Sequence, residues 1–169
     1  MKNEGFIIVI VLLTSMSVFA QKNILKGGFV ASGGANLGLQ YERSVSSRVS
    51  VLGQIGYAEI FDIIGMQSST GLGMYVEGRY YFSTKKDLME GWHGGIYCTY
   101  MNTHYNDGWF DYDQNNLGIG AVGGYQWVFS PRITVDTLFG GGYLRFDEEN
   151  MVGDRGFYPL IGLNLGYNF

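Results

Sequence analysis

Little in this chain could staple it, kink it or anchor it through a helix. It has a single cysteine, Cys98, so no internal disulfide can form. It has only two prolines against 27 glycines, a balance that suits many strands joined by turns. Beyond the first twenty residues, no stretch is long and apolar enough for a membrane helix. Basic residues are not in excess: 11 Lys and Arg stand against 15 Asp and Glu, and a net charge of −4 gives no sign of a nucleic-acid partner. Disorder is also excluded, because a disordered chain would lack the 13 Tyr, 11 Phe and 3 Trp present here.

What is present begins with an export signal. Lys2 supplies a positive start, an apolar run spans Phe6 to Val18, and Val18 and Ala20 are small enough for the −3 and −1 positions of a cleavage site. Residues 1–20 are therefore expected to be a cleaved signal peptide, and residues 21–169 one mature domain. Cys98 lies far from that site, so no lipoprotein anchor is expected.

The clearest strand is the last, Phe157 to Phe169. Phe169, Tyr167, Leu165, Leu163, Ile161, Pro159 and Phe157 form one apolar face, with Gly and Asn prominent on the other. A soluble strand rarely finishes on Phe, because termini fray into water. A transmembrane barrel strand can finish there, with the ring in an interfacial girdle. The same alternation marks seven further strands: Ile24–Ser32, Asn36–Val45, Val49–Tyr57, Leu72–Phe82, Trp92–Met101, Asn116–Phe129 and Ile133–Tyr143. Residues 58–71, 102–115 and 147–156 lose the pattern and read as longer loops, while the turns after strands two, four and six read as tighter. An even strand number with alternating short and long connections predicts an all-β, eight-stranded antiparallel up-and-down transmembrane β-barrel with both termini periplasmic.

Volume decides which face is outside. An eight-strand barrel has an interior just wide enough for packed side chains. The face bearing Trp92, Trp127, Phe29, Phe82, Phe129, Phe139 and Phe169 is too bulky to fit there, and the glycine-rich face fits. Lys26, Glu42, Glu77, Arg79, His93 and Asp136 then point inward. Buried charges need partners, so Lys26, Glu42, Glu77, Arg79 and Asp136 are expected to form a structural polar network in a closed lumen. A narrow ion path along the same residues is the competing expectation. His93 reads as a packed, hydrogen-bonded histidine, and Cys98 as an outward apolar filler.

The remaining chemistry is thin. His104 lies near Asp107, Asp111 and Asp113, with Ser68 and Ser69 in the preceding loop, and a nucleophile would need its base within hydrogen-bond reach. The run Asp111-Tyr112-Asp113-Gln114-Asn115 begins like a calcium loop, then has Asn116 where Gly is required and Val122 where Glu is required. No catalytic, cofactor or metal site is expected. Acidic residues (Glu59, Asp62, Asp107, Asp111, Asp113, Asp147, Glu148, Glu149, Asp154) map to one side, and Lys22, Arg43, Arg48, Lys85, Lys86 and Arg132 to the other. Trp109, Phe110 and Tyr112 are exposed aromatics suited to a surface protein or glycan partner.

Three motifs carry a family resemblance: Asn36-Leu37-Gly38-Leu39-Gln40-Tyr41-Glu42-Arg43, Glu77-Gly78-Arg79-Tyr80-Tyr81-Phe82, and Gly124-Tyr125-Gln126-Trp127 before a short turn. They resemble small eight-stranded outer-membrane barrels of Bacteroidetes-type bacteria, a domain-of-unknown-function group with OmpX-like and OmpA-like architecture. The resemblance spans essentially the mature chain. It implies an integral outer-membrane location among lipid and lipopolysaccharide, and it carries no catalytic residues to transfer. By analogy with outer-membrane barrels, Phe169 and Tyr167 would be the aromatic signal read by the barrel-assembly machinery. The expected role is non-enzymatic, structural or surface-interacting; the alternatives are a lipid A-modifying enzyme and a small channel.

Overall fold

A strict in–out alternation of side chains runs through every strand, and it curls the sheet into a closed cylinder. The computed structural model describes residues 23–62, 67–83, 89–106, 111–130, 132–148 and 155–169. The strands are β1 (Asn23–Ala31), β2 (Ala35–Ser44), β3 (Val49–Asp62), β4 (Gln67–Tyr81), β5 (Gly91–Asn106), β6 (Asp111–Ser130), β7 (Ile133–Glu148) and β8 (Arg155–Asn168). Each pairs antiparallel with the next, and β8 returns to β1 from Ile24↔Asn168 to Ala31↔Ile161. Reciprocal backbone bonds seal the seam: the Asn23 amide donates to the Phe169 carbonyl (3.2 Å) and the Phe169 amide to the Asn23 carbonyl (3.0 Å). The expected eight-stranded barrel is therefore observed. The end holding both chain termini is called the terminal end below, and the opposite one the far end.

The strands outrun the sequence expectation at the far end. Residues 58–71 were expected to form a loop, yet β3 and β4 stay paired from Ala58↔Gly71 to Asp62↔Gln67. Residues 102–115 also extend the ladder, from Asn102↔Asn115 to Asn106↔Asp111. Asp147 and Glu148 belong to β7, and Arg155 and Gly156 to β8. Alternation of apolar and polar residues stops where the outer face ceases to be apolar, but backbone pairing needs no such contrast. The expected contrast between short and long loops consequently becomes a contrast in strand length. The far-end connections shrink to 63–66, 107–110 and 149–154, and the longest connection, 82–90, is at the terminal end. The wall is lopsided: β1 has 9 residues and β2 has 10, whereas β6 has 20. The expected signal peptide, Lys22, Lys85, Lys86, Asp107, Trp109, Phe110, Glu149 and Asp154 lie outside the described residues.

The outer wall is apolar. Leu37, Leu39, Ile96, Ile119, Phe139, Tyr143, Leu165 and many others are exposed, as are Cys98 and the aromatic set assigned outward from sequence. Rings from neighbouring strands cover three outward glycines: Phe82 over Gly94, Phe139 over Gly123 and Phe157 over Gly141. The inward face also carries large side chains. Tyr75, Tyr81 and Tyr97 point in and are buried, with Leu52, Val122, Leu138 and Leu160. Inward glycines make that fit. A Cβ on Gly142 would lie 2.6 Å from the Tyr97 hydroxyl, and one on Gly120 would lie 2.7 Å from its ring.

Candidate functional site

Charged side chains converge in the lumen from five strands. β1 contributes Lys26, β2 Glu42, β4 Glu77 and Arg79, β5 His93, and β7 Asp136, every one of them on the inward parity. The Lys26 ammonium sits 2.6 Å from Glu42 Oε2 and 2.9 Å from Asp136 Oδ2, and donates to Gln126 Oε1 at 2.6 Å. Arg79 is the hub. Its Nη1 donates to Asp136 Oδ2 at 2.8 Å, its Nη2 donates to Glu77 Oε2 at 2.9 Å, and its Nε makes a charge contact with Glu77 Oε1 at 2.8 Å. All five residues expected to form a polar network thus stand in one connected cluster, with side chains fully shielded from solvent.

Neighbours complete it, and most of them carried no sequence signal beyond parity. The Tyr81 hydroxyl (2.7 Å) and the Ser50 hydroxyl (2.5 Å) donate to Glu42 Oε1. The Tyr75 hydroxyl donates to Glu77 Oε2 at 2.9 Å. His93, expected as a packed histidine, places Nε2 3.1 Å from Asp136 Oδ1 and Nδ1 4.0 Å from Glu77 Oε1. It has room because Gly124 faces it, where a Cβ would lie 2.7 Å from the imidazole Cε1. Asn164 Nδ2 donates to Asp136 Oδ2 at 3.4 Å, and Gln40 Nε2 ties Asn164 and Gln54 to the cluster at 2.6 and 2.8 Å.

The terminal mouth has its own stopper. Met89 adopts a left-handed backbone (φ 64°) and turns into the barrel, where it is buried against Ile24 and Tyr81. Its carbonyl accepts a hydrogen bond from Gln126 Nε2 at 2.5 Å. The sequence marks this connection only as one of the tighter turns. The only hint was that Met89 is the one large apolar residue between Leu88 and Trp92. Toward the far end, Val30, Leu52, Tyr75, Tyr97, Val122, Leu138 and Leu160 pack together. Tyr75 and Tyr97 are stacked with centroids 5.3 Å apart. A cavity of about 10 Å³, room for about one water, lies beyond them against Ser32, Asn36, Thr99 and Met101.

The candidate chemistry outside the lumen is only partly assembled. His104 lies in β5, not in a loop, and its Nδ1 is 2.9 Å from Asp113 Oδ1 with both side chains largely exposed. Ser69, a nominated nucleophile, faces the opposite way: it is buried in the lumen, near Gln114 Oε1 at 3.5 Å. The calcium-like run is extended strand in β6, so Asp113 and Asn115 point outward side by side and do not wrap around a centre. Phe169 and Tyr167 are exposed on the outer wall at the terminal end.

An apolar wall around a packed ionic interior, on eight closed antiparallel strands, is the construction of the small outer-membrane β-barrels. Residues 6–156 match the family described as protein of unknown function (DUF3575), and the chain belongs to that family. No curated protein matches the sequence. Among solved structures, the N-terminal barrel domain of Pseudomonas aeruginosa OprF is 15% identical with a TM-score of 0.57, covering 88% of this chain and 97% of that one. Ail, the attachment invasion locus protein of Yersinia pestis, is 11% identical with a TM-score of 0.51, over 88% and 98%. That structure is a complex with the heparin analogue sucrose octasulfate. Neisserial surface protein A is 12% identical with a TM-score of 0.52, over 88% and 94%. At these identities the likeness carries the fold alone.

Proposed function

We propose that the chain is an integral outer-membrane barrel with a closed polar lumen and a non-enzymatic role in envelope structure or surface interaction. The observation that carries this reading is the fully shielded cluster of Lys26, Glu42, Glu77, Arg79 and Asp136 inside an apolar wall. In water the wall would expose far more contiguous apolar surface than a soluble monomer tolerates. In a bilayer the same wall is the solvated face, and the ionic cluster is the core that fills and pins the barrel. The Met89 stopper and the packed tyrosine layer support closure against an ion path.

On this reading residues 1–20 direct export and are removed, and residues 21–169 assemble in the outer membrane with both termini periplasmic. Phe169 and Tyr167 serve as the aromatic signal for the barrel-assembly machinery. Lipid and lipopolysaccharide surround the wall, and the far end meets a surface protein or glycan partner. The structural likeness to Ail, a protein named for attachment, supports that last element by analogy. For the lipid A-modifying alternative, the burial of Ser69 on the face away from His104 removes that serine as its partner. The test is membrane fractionation with heat-modifiable gel mobility. A protein found in the outer-membrane fraction that migrates differently boiled and unboiled supports the reading; a soluble protein with a single mobility overturns it.

A further inference from the structure

The two sides of the outer wall treat their glycines differently. On β5, β6 and β7 the outward glycines Gly94, Gly123 and Gly141 lie beneath the rings of Phe82, Phe139 and Phe157. On β3 and β4 the outward glycines Gly53 and Gly78 have no such cover, and a Cβ at either would meet nothing within 4 Å. A bare glycine in a strand forgoes the packing that a covering ring restores. Gly53 forms the floor of a groove of about 370 Å³ in this side of the wall. Small-ligand sites span roughly 300–1,000 Å³, so the groove is large enough to hold one. The register partners Tyr41 and Val76 flank Gly53, and the adjoining outward rung of Leu39, Ile55 and Met74 continues the walls.

The sheet cannot bend inward to close this groove. Behind it, Gln40 Nε2 donates to Gln54 Oε1 at 2.8 Å, and Tyr75 is stacked on Tyr97. What fills the groove therefore comes from outside the chain.

The lining says which kind of group that is. The outward side chains around Gly53 are apolar except for Tyr41, whose hydroxyl already donates to Asn23 Oδ1 at 2.8 Å. With no free polar group addressing it, the occupant is hydrocarbon. Width narrows the choice further. The backbones of β2 and β4 are two strand spacings apart, roughly 9.6 Å, and their side chains take up part of that gap. An α-helix is about 10–12 Å across and does not enter it, whereas a single extended acyl chain does. A second copy of the chain would have to insert a protruding ring. Exposed rings such as Phe139, Tyr143 and Phe157 stand on β7 and β8, so that contact would be heterologous and would lack the two-fold closure of a dimer.

We propose that the groove over Gly53 is a binding site for one acyl chain of a membrane glycerophospholipid. The inference rests on the membrane-barrel reading, which brings hydrocarbon to the wall. Within that reading it singles out one place where a chain is held, against the Gly53 backbone between Tyr41 and Val76 and onward past Gly78 toward the terminal end.

The full mature chain is reconstituted in dimyristoyl phosphatidylcholine vesicles, extracted in mild detergent and measured by native mass spectrometry, with collision energy raised until loosely held lipid is stripped. One phosphatidylcholine should stay on the wild-type barrel. Gly53→Leu fills the floor and should weaken retention roughly tenfold, equivalent to about two methylenes of lost burial. Gly53→Ala should weaken it less, and carries the comparison if the leucine variant does not insert. Ala121→Leu adds the same side chain to the outer face of β6 and should leave retention unchanged. Dimyristoyl phosphatidylglycerol should be held equally well, because the groove addresses the chain and not the headgroup. Absence of a preferentially retained lipid, retention that ignores the substitutions at Gly53, or retention set by the headgroup overturns the proposal. A dimer that Gly53→Leu abolishes also overturns it and assigns the groove to a second copy. Heat-modifiable mobility of each reconstituted variant is measured alongside. Wild type that fails to insert sinks the membrane reading itself, whereas wild type that inserts and holds no lipid sinks the acyl-chain site alone.

Discussion

The two halves of the lumen solve the same problem in opposite ways. Toward the terminal end, the interior is ionic: two fixed cations, three carboxylates and His93 interlock with Tyr75, Tyr81, Ser50 and Gln126. Toward the far end, the buried polar residues are neutral: Ser32, Asn36, Ser69, Thr103, Gln114 and Asn116. The ionic half is held by charge contacts, with Glu77 Oε1, Arg79 Nε and His93 Nδ1 making no conventional hydrogen bond. In the neutral half, the Ser32 and Thr103 hydroxyls, Asn36 Nδ2 and both amide atoms of Asn116 have no partner in the chain. The physical difference is the cost of failure. An unpaired buried charge is far more expensive than an unpaired amide or hydroxyl, which a single water can satisfy. Charge is therefore placed where opposite charges stand within contact distance, behind the Met89 stopper on one side and the tyrosine layer on the other.

The comparison can be broken most severely at Arg79. Arg79→Ala removes the hub and leaves three carboxylates with Lys26 alone, an expected loss of about 3–5 kcal/mol. The check is the urea midpoint of unfolding in lipid vesicles, followed by tryptophan fluorescence. Lys26→Met should cost nearly as much. Combining it with Glu42→Gln should cost clearly less than the sum of the two single losses, because the partners are in direct contact. An additive double variant would mean that the ion pair does not carry the stability of that half.

A smaller effect is expected at the tyrosine layer. Gly142→Ala drives a methyl into the Tyr97 hydroxyl and the facing strand, for a loss of about 1–3 kcal/mol in the same assay. The smallest effect belongs to the neutral half. Asn116→Leu replaces two unpartnered amide atoms with an apolar group of similar size, and should be neutral or stabilising by up to about 1 kcal/mol. A loss as large as that of Arg79→Ala would erase the distinction between the halves. Outside the lumen, His104→Ala removes an exposed ion contact and should change stability by less than about 0.5 kcal/mol. Lipid A mass spectra of cells carrying that variant should be unaltered, and a change in acylation would revive the enzymatic alternative.

The legible parts of the fold are those with a strong contrast between faces. The β8 run from Phe157 to Phe169 alternates apolar with small or polar residues, and this parity by itself identifies the outer wall. The same logic brought Lys26, Glu42, Glu77, Arg79 and Asp136 to the inside, because charges on a bilayer-facing parity are not tolerated. Pairing beyond the apolar wall was not legible. Glu59↔Thr70 and His104↔Asp113 continue the ladder with no contrast between faces to mark them. Parity puts Tyr75, Tyr81 and Tyr97 on the inward face, but how their bulk fits is not legible. Tyr97 fits only because Gly120 and Gly142 stand opposite, a three-strand coincidence that no single-strand pattern carries. Met89 was invisible for a different reason: one apolar residue in a polar turn has no period, and its burial depends on the left-handed turn that aims it inward.

A closed lumen is tested most directly by planar-bilayer recording of the purified, refolded barrel. Wild type should give no discrete conductance steps, because the Lys26–Glu42–Asp136–Arg79 cluster and the tyrosine layer fill the bore. Reproducible single-channel steps in wild type, shifted in size by Lys26→Met, would contradict the account and establish the same residues as the lining of an ion path.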